Sequence, residues 1–249
     1  MDIIAVRNLV VGYGALQILR DLNFSIPASE ITAVVGTSGC GKSTLLKTLA
    51  GLLPPLEGDV FFRAERVDYV SEASLAALYR GIGVLYQDGA LLNNLSLFDN
   101  VALPVRMQHP DMPETVIREM VHDRLAQVGL LEGAGKFPAE LSGGMRKRGA
   151  LARALVLDPA VVLCDEPAGG LDPITSGHLD DLLLSLRDAF RTTFVVVTHE
   201  LRSIEKVADR ILVLYDGRLH FSGGRAEVMS SDDPYIRTFF LRKVEHDDA

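Results

Sequence analysis

Nine residues constrain the fold of this chain more than any other stretch: Gly36, Thr37, Ser38, Gly39, Cys40, Gly41, Lys42, Ser43 and Thr44. An apolar, β-branched run (residues 31–35) precedes them, and a helical pattern (residues 44–50) follows. Glycines let the backbone wrap so that N–H groups point at phosphate oxygens, and the helix N-terminus adds partial positive charge. In such a loop Lys42 reaches the β- and γ-phosphates and Ser43 is placed to ligate Mg²⁺. The stretch therefore predicts a site for a nucleoside triphosphate rather than a flexible Gly/Ser turn.

Composition indicates an α/β domain with an aliphatic core. Of the 249 residues, 48% are hydrophobic and 6% aromatic, which is typical of a buried parallel sheet. The net charge of −8 argues against a broad basic surface, so we expect no nucleic-acid partner. Two cysteines, Cys40 and Cys164, predict no disulfide framework and favour a reducing compartment. The helix start beside Cys40 is expected to favour its thiolate.

Two absences in the sequence bear on the membrane. No apolar run approaches the ~18 residues of a spanning helix, and the N-terminus has no basic region followed by an apolar one. We therefore expect any membrane role to come through a partner.

Alternating strand and helix patterns predict a mainly parallel sheet. We predict strands near residues 3–7, 21–26, 31–35, 59–62 and 82–86, and a helix at 73–80. Three helices then follow, near 98–106, 113–128 and 144–157, which indicates a helical insert before strand–helix alternation resumes at residue 161. In the second of these helices one buried face is expected, made of Val116, Met120, Val121, Leu125 and Val128.

Acidic and imidazole side chains follow two of the later strands. Asp165 and Glu166 end the apolar run 161–164, and His199 follows the run 194–197. Carboxyl ends of neighbouring parallel strands meet in one crevice, so these side chains are expected beside the phosphate-binding loop. There Asp165 would hold Mg²⁺ through its water shell, and Glu166 would polarise a water for in-line attack. Two acids that close a strand are otherwise ordinary solvated residues.

A second glycine-containing helix start lies inside the insert. Ser142 can cap the helix, and Gly143 and Gly144 allow an anion to approach the backbone. The basic residues Arg146, Lys147 and Arg148 in the first turns oppose the helix dipole, which costs stability unless something anionic lies nearby.

In this order the motifs resemble those of ABC transporter ATPases, over about residues 3–225. The resemblance rests on the phosphate-binding loop, Gln87 after a strand, Leu-Ser-Gly-Gly at 141–144, Asp165-Glu166, Gly170-Leu171-Asp172 and His199. It implies a P-loop NTPase (RecA-like) core with a mixed, mainly parallel sheet, an antiparallel β subdomain and an inserted α-helical subdomain. The implied boundaries are 1–87 and 155–225 for the core with its β subdomain, 88–154 for the insert, and 226–249 for a C-terminal helical extension and tail.

The resemblance also implies roles for individual residues. Tyr13 would stack on adenine, Gln87 would contact Mg²⁺ and sense a membrane partner, and His199 would contact the γ-phosphate. Glu166 would be the general base. Two cassettes would sandwich two ATP molecules in a homodimer, in which Ser142, Gly143 and Gly144 of one chain complete the phosphate-binding loop of the other and Asp172 communicates across the dimer.

The residues that follow Leu-Ser-Gly-Gly depart from the usual sequence and indicate a subgroup of the ABC transporter ATPases. Met145 stands where glutamine is usual, and Leu-Ser-Gly-Gly-Met-Arg-Lys-Arg resembles the Mla/Mce-type ATPases of lipid transport between bacterial membranes. This resemblance implies ATP and Mg²⁺ as cofactors and a polytopic permease with periplasmic lipid-binding and small accessory subunits as partners. It places the chain at the cytoplasmic face of the inner membrane. Gly149, in place of a bulkier apolar residue, has no evident role in the sequence.

Other readings stay open at this point. An ABC ATPase for lipoprotein release or amino-acid transport would carry the same core motifs. A soluble ABC protein acting on DNA or ribosomes would normally have two cassettes or a long coiled coil, and a P-loop kinase or GTPase would not explain residues 141–144 together with His199. Residues 87–106, rich in leucine and asparagine, are the predicted docking segment for the permease.

Overall fold

Ten strands and nine α-helices are present within residues 1–241, the part of the chain that our computed structural model describes. The strands are β1 (Asp2–Tyr13), β2 (Leu16–Pro27), β3 (Ile31–Gly36), β4 (Glu57–Phe62), β5 (Glu65–Arg66), β6 (Ile82–Leu85), β7 (Val161–Asp165), β8 (Thr193–Val197), β9 (Arg210–Tyr215) and β10 (Arg218–Gly224). The helices are α1 (Lys42–Leu49), α2 (Glu72–Gly81), α3 (Leu97–Gln108), α4 (Glu114–Gln127), α5 (Gly143–Leu155), α6 (Pro173–Phe190), α7 (Leu201–Val207), α8 (Arg225–Met229) and α9 (Pro234–Leu241).

The central sheet carries the strands whose ends were predicted to meet. Its order is β10-β9-β3-β8-β7-β6, with all neighbours parallel except β9 and β10. Val197 is the register partner of both Val34 and Asp165, so the carboxyl ends of β3, β7 and β8 are level. The strands β3 and β8 are buried along their whole length, which explains why each is apolar apart from one threonine and, in β3, the final glycine. The mixed, mainly parallel sheet is confirmed.

A second, antiparallel sheet has the order β2-β1-β4-β5. Val6 pairs with Phe24 on one side and Val60 on the other, and the alternate residues Ile4 and Val6 are buried. β1 and β2 are 12 residues each, longer than predicted, because irregularities in the register carry the pairing past Asn8, which has a φ of 46°. The antiparallel β subdomain is thereby confirmed.

The insert between β6 and β7 consists of α3, α4 and α5 around their own apolar cluster. One predicted face was wrong in detail: Val116 is 41% exposed, whereas its neighbour Ile117 is 2% exposed. Ile117, Val121 and Leu125 follow one another at intervals of four residues, and this spacing turns α4 so that Val116 lies outside the apolar face. None of the helices in the described part of the chain is long and apolar enough to cross the membrane.

Close packing of α3 against α5 explains Gly149. A Cβ atom at this position would lie 2.5 Å from Cδ1 of Leu97, which is fully buried. The two helices therefore approach too closely for any larger residue at position 149 unless Leu97 moves. The α8 and α9 helices lie in the predicted C-terminal extension, and the predicted tail, residues 242–249, lies outside the described residues.

Candidate nucleotide-binding site

A cavity of about 760 Å³ opens where the carboxyl ends of β3, β7 and β8 meet. Twelve of the predicted site residues line it, together with three others that the sequence did not point to. The twelve are Gly36, Thr37, Ser38, Gly39, Gly41, Lys42, Ser43, Thr44, Gln87, Asp165, Glu166 and His199. Convergence of these residues follows from the sheet topology, because each segment leaves the sheet at the same edge.

The loop between β3 and α1 has the geometry that its glycines predict. Gly41 precedes α1 with a φ of 103°, and a Cβ there would lie 2.5 Å from Cδ2 of Leu19. Lys42 folds back over the loop, where its Nζ donates hydrogen bonds to the carbonyl oxygens of Gly36 (2.9 Å) and Thr37 (3.0 Å). The ammonium group therefore lies at the centre of the loop, within reach of any phosphate that the backbone N–H groups hold.

Ser43 and Asp165, two of the residues predicted to hold Mg²⁺, are in direct contact in the cavity. The Ser43 Oγ donates to Oδ1 of Asp165 across 3.2 Å. Burial raises the pKa of Asp165, and this hydrogen bond opposes the shift. Within residues 1–241 no cluster of three or more His, Cys, Asp or Glu side chains could hold a metal by itself. The two hard oxygen donors fit Mg²⁺, which usually binds one or two protein oxygens and completes its shell with phosphate and water.

Glu166 and His199 are in direct contact although 33 residues separate them in sequence. The Glu166 Oε1 and His199 Nδ1 atoms are 2.8 Å apart. The Oε2 atom of Glu166 is buried and has no hydrogen-bond partner among the described residues. A buried carboxylate oxygen without a partner is unusual, and it makes Glu166 a candidate functional residue of the cavity wall.

Cys40 departs from the expectation for its thiol. Its side chain is 8% exposed and belongs to the apolar cluster below the loop, so it does not line the cavity. Burial raises the pKa of Cys40, an effect larger than the opposing influence of Lys42. The expected preference for thiolate was wrong, because the loss of solvent outweighs the helix N-terminus.

The Leu-Ser-Gly-Gly residues lie away from this cavity, at the start of α5. Ser142 caps the helix by accepting a hydrogen bond from the Met145 N–H at 3.3 Å. Ser142 and Gly144 line a separate cavity of about 420 Å³, together with Leu171 and Thr175. A Cβ at Gly144 would lie 2.5 Å from Cγ2 of Thr175, so α5 and α6 need glycine here.

Asp172 is the N-cap residue of α6. Its Oδ1 accepts hydrogen bonds from the N–H groups of Ile174 (3.1 Å) and Thr175 (3.0 Å), and it thereby caps α6. Hydrogen bonding from the Thr175 side chain, and then from the N–H groups of Thr175 and Ile174, lowers the pKa of Asp172. The cap fixes the segment that leads from Glu166 into α6.

Three residues of the cavity wall were not predicted: Ile18, Val197 and Phe239. Val197 follows from the register of the sheet, but the sequence has no local signal for Ile18 or for Phe239 of α9, because both arrive from distant parts of the chain. Tyr13, the predicted adenine contact, stands at the end of β1, half exposed and outside the cavity lining.

The fold and the phosphate-binding site are those of an ABC transporter ATPase, and comparison with known proteins agrees. A profile of the ABC transporter family matches residues 19–169, and the chain belongs to that family. Two solved structures share the fold. CbiO1 from Clostridium perfringens, part of the ABC transporter complex cbiONQ, has a TM-score of 0.85 and 29% identity, with 98% of each chain covered. The ATP-binding cassette MJ0796, a dimer in a post-hydrolysis state bound to ADP and Pi, has a TM-score of 0.81 and 29% identity, with 89% of this chain and 98% of that chain covered.

The related proteins are named for two different transport functions. The probable ribonucleotide transport ATP-binding protein mkl of Mycobacterium tuberculosis (strain H37Rv) is 41% identical over 236 residues, which cover 95% of this chain and 66% of that protein. The present chain thus spans slightly less than two thirds of the mycobacterial relative. The intermembrane phospholipid transport system ATP-binding protein MlaF of Haemophilus influenzae is 38% identical over 246 residues, which cover 99% of this chain and 92% of that protein.

Proposed function

We propose that this chain is the ATP-binding and hydrolysing subunit of an ABC transporter that drives phospholipid transport between bacterial membranes through a separate permease. The observation that carries the hydrolytic part is the meeting of the phosphate-binding loop with Asp165, Glu166 and His199 in one cavity. The phospholipid part rests on the similarity to MlaF over nearly the full length of both chains.

The phosphate-binding loop and Lys42 bind the triphosphate. Backbone N–H groups of residues 36–44 hold the phosphate oxygens, and the Lys42 ammonium exchanges its bonds to Gly36 and Thr37 for bonds to the β- and γ-phosphates. Ser43, Asp165 (through water) and Gln87 are the proposed residues for Mg²⁺. When bound, Mg²⁺ would neutralise charge that develops on the phosphates. Tyr13 is the proposed adenine contact.

Hydrolysis falls to Glu166 and His199. Glu166 accepts a proton from the attacking water as the general base, and its position in the wall of the cavity beside the phosphate-binding loop supports this role. The contact with His199 fixes the other carboxylate oxygen at 2.8 Å. His199, which lines the same cavity, is the proposed contact of the γ-phosphate.

A complete site needs a second copy of the chain. Ser142 and Gly144 line a different cavity from the phosphate-binding loop, so in this proposal they and Gly143 complete the loop of a partner in a head-to-tail homodimer. Asp172 belongs to the segment that communicates across that dimer. Support comes from the dimeric state named for the similar cassette MJ0796.

We also propose boundaries for the parts of the chain and its location in the cell. Residues 1–87 and 155–225 form the nucleotide-binding core, 88–154 the insert with the signature, and 226–249 the C-terminal extension. The chain docks on a polytopic permease at the cytoplasmic face of the inner membrane, with periplasmic lipid-binding and small accessory subunits, and it needs no nucleic acid.

An assay of the assembled transporter tests this function. The chain is purified with the membrane protein that it binds, reconstituted into proteoliposomes, and tested for ATP-dependent movement of a labelled phospholipid and, separately, of a labelled ribonucleotide. Lipid movement that is lost in Glu166→Gln is expected. Ribonucleotide uptake without lipid movement would instead favour the function in the name of the mycobacterial relative, and absence of any membrane partner would exclude the transporter class.

A further inference from the structure

Lys147 lies at a junction between the insert and both catalytic segments. It stands in α5, the helix that begins at the Ser142 cap, and its residue is 6% exposed. Its Nζ donates hydrogen bonds to the backbone carbonyl oxygens of Gln87 and of Glu166, the latter at 3.2 Å. These two carbonyls follow β6 and β7, neighbouring parallel strands of the central sheet. One ammonium group therefore joins three segments that are distant in sequence.

A buried ammonium needs such acceptors. Removing it from water is costly unless its protons are hydrogen-bonded. Burial lowers the pKa of Lys147, and the nearby carboxylates of Asp88 and Glu166 oppose that shift. The nearby carboxylates account for Lys147 among the basic residues that oppose the dipole of α5.

The backbone of Glu166 adopts an unfavourable conformation that needs support from its neighbours. Glu166 has a φ of 47°, in the left-handed region that non-glycine residues rarely adopt. Such a conformation is unfavourable and persists only where neighbouring contacts fix it. The Glu166 N–H donates to Val197 O at 2.9 Å, and its carbonyl accepts from the Gly169 N–H at 3.0 Å as well as from Lys147.

The other basic residues of α5 make different contacts. Arg146 donates to Leu141 O (3.0 Å) and Arg148 to Val128 O (3.1 Å), both within the insert. Arg153 donates to Gly89 O (2.7 Å) and Ala90 O (2.6 Å), beyond Gln87. One of the described hydrogen bonds from the four basic side chains of α5 reaches the Glu166 segment, and its donor is Lys147.

We propose that Lys147 is a positioning residue for ATP hydrolysis. Its ammonium group connects α5, the helix that begins with the Leu-Ser-Gly-Gly residues, to the backbone of Glu166 and of Gln87. Movement of the insert therefore displaces both the general base and the docking segment. The proposal rests on the proposed function of Glu166 as the base. A loss of this tie displaces the carboxylate without removing any group that binds ATP.

Steady-state ATP hydrolysis by the assembled transporter complex tests the proposal. Lys147→Met should lower kcat by about 10–100-fold, the effect of a misplaced reacting group, and leave KM for ATP nearly unchanged. Lys147→Arg should restore much of kcat, because arginine keeps the charge and the donors. Arg118→Met is the control: it removes an exposed cation from α4, another helix of the insert, and kcat should stay at the wild-type value.

A double-mutant cycle separates positioning from a general loss of structure. In a Glu166→Gln background Lys147→Met should cause little further loss of rate, because Lys147 acts through Glu166. Equal losses in both backgrounds, or a wild-type kcat for Lys147→Met, would overturn the proposal. If Lys147→Met does not fold, Lys147→Gln, which keeps a donor without the charge, should give an intermediate kcat, and a wild-type kcat would again overturn it. Normal turnover in Glu166→Gln alone would instead refute the proposed base and leave the contacts of Lys147 to another role.

Discussion

The Glu166 Oε1 atom lies 2.8 Å from the His199 Nδ1 atom, and this contact joins the ends of β7 and β8. Glu166 reaches it from a left-handed backbone conformation, with its second carboxylate oxygen buried and without a partner among the described residues. Strain and an unpartnered polar atom at one residue are typical of functional sites. The pair is therefore the part of the molecule in which mutations should separate ATP binding from hydrolysis.

Glu166→Gln should keep ATP binding and lower hydrolysis by about 10²–10⁴-fold, the usual contribution of general-base catalysis. The amide keeps the shape of the carboxylate but does not accept the proton of the attacking water. ATP turnover by the transporter complex and ATP binding by the isolated chain check this. Glu119→Gln, at an exposed position of α4, is the control and should leave both unchanged. Near-normal turnover in Glu166→Gln would contradict the assignment.

Lys42→Ala should weaken ATP binding itself, by about 10–100-fold, because charge-assisted hydrogen bonds contribute about 1.5–3 kcal/mol. The mutation removes the ammonium group at the centre of the loop, which contacts Gly36 and Thr37 in the present structure. Equilibrium binding of a fluorescent ATP analogue measures the effect. Lys47→Ala, exposed on the same helix, should bind ATP as the wild type does. Equal affinities of the two variants would place the phosphates elsewhere.

Gly149→Ala should destabilise the chain by about 1–3 kcal/mol, because its Cβ would lie 2.5 Å from Cδ1 of Leu97. Denaturant unfolding measures the change. Gly177→Ala in α6 is the matched control: nothing lies within 4 Å of its added Cβ, so it should stabilise by about 0.5–1 kcal/mol through helix propensity. The double variant Gly149→Ala with Leu97→Ala should lose less than the sum of the single losses. Strict additivity would show that the close contact is not the cause.

Cys40 should react slowly with alkylating agents at neutral pH, because its pKa is raised and its side chain is 8% exposed. Cys164 is fully buried in β7, its pKa is also raised, and it should react more slowly still. Bound ATP should slow the labelling of Cys40 further, since it holds the loop closed over the thiol. Mass spectrometry of labelled peptides, with Cys40→Ala as the control, measures both rates. Labelling of Cys40 that is unaffected by ATP would contradict this picture.

Leu92→Asp should prevent assembly with the proposed permease while ATP binding by the isolated chain stays unchanged. Leu92 is 44% exposed in the docking segment, and its backbone is fixed by two hydrogen bonds with the buried Asn100 side chain. A charge there would have to be desolvated in an apolar interface. Co-purification with the membrane partner measures assembly, and Val116→Asp, at the comparably exposed position on α4, is the control. Normal assembly of Leu92→Asp would place the docking site elsewhere.

The sequence predicted the local elements because each carries its own pattern. The phosphate-binding loop, the buried run before Asp165 and the cap at Ser142 are set by residues within a few positions of one another. The strands β1 and β2 ran beyond the prediction, since their length depends on pairing partners and bulges rather than on local pattern.

Contacts between distant segments depended on the tertiary structure. The sequence alone specified the class of the fold and the residues of the phosphate-binding loop, because glycine spacing and apolar periodicity act over a few residues. The burial of Cys40, the entry of Phe239 into the cavity wall, the need for glycine at position 149 and the reach of Lys147 to Glu166 were decided by packing. Each of these depends on contacts between residues well separated in sequence, by 19 positions for Lys147 and Glu166. Such contacts form only when the sheet and the insert pack against each other, and no local pattern specifies them.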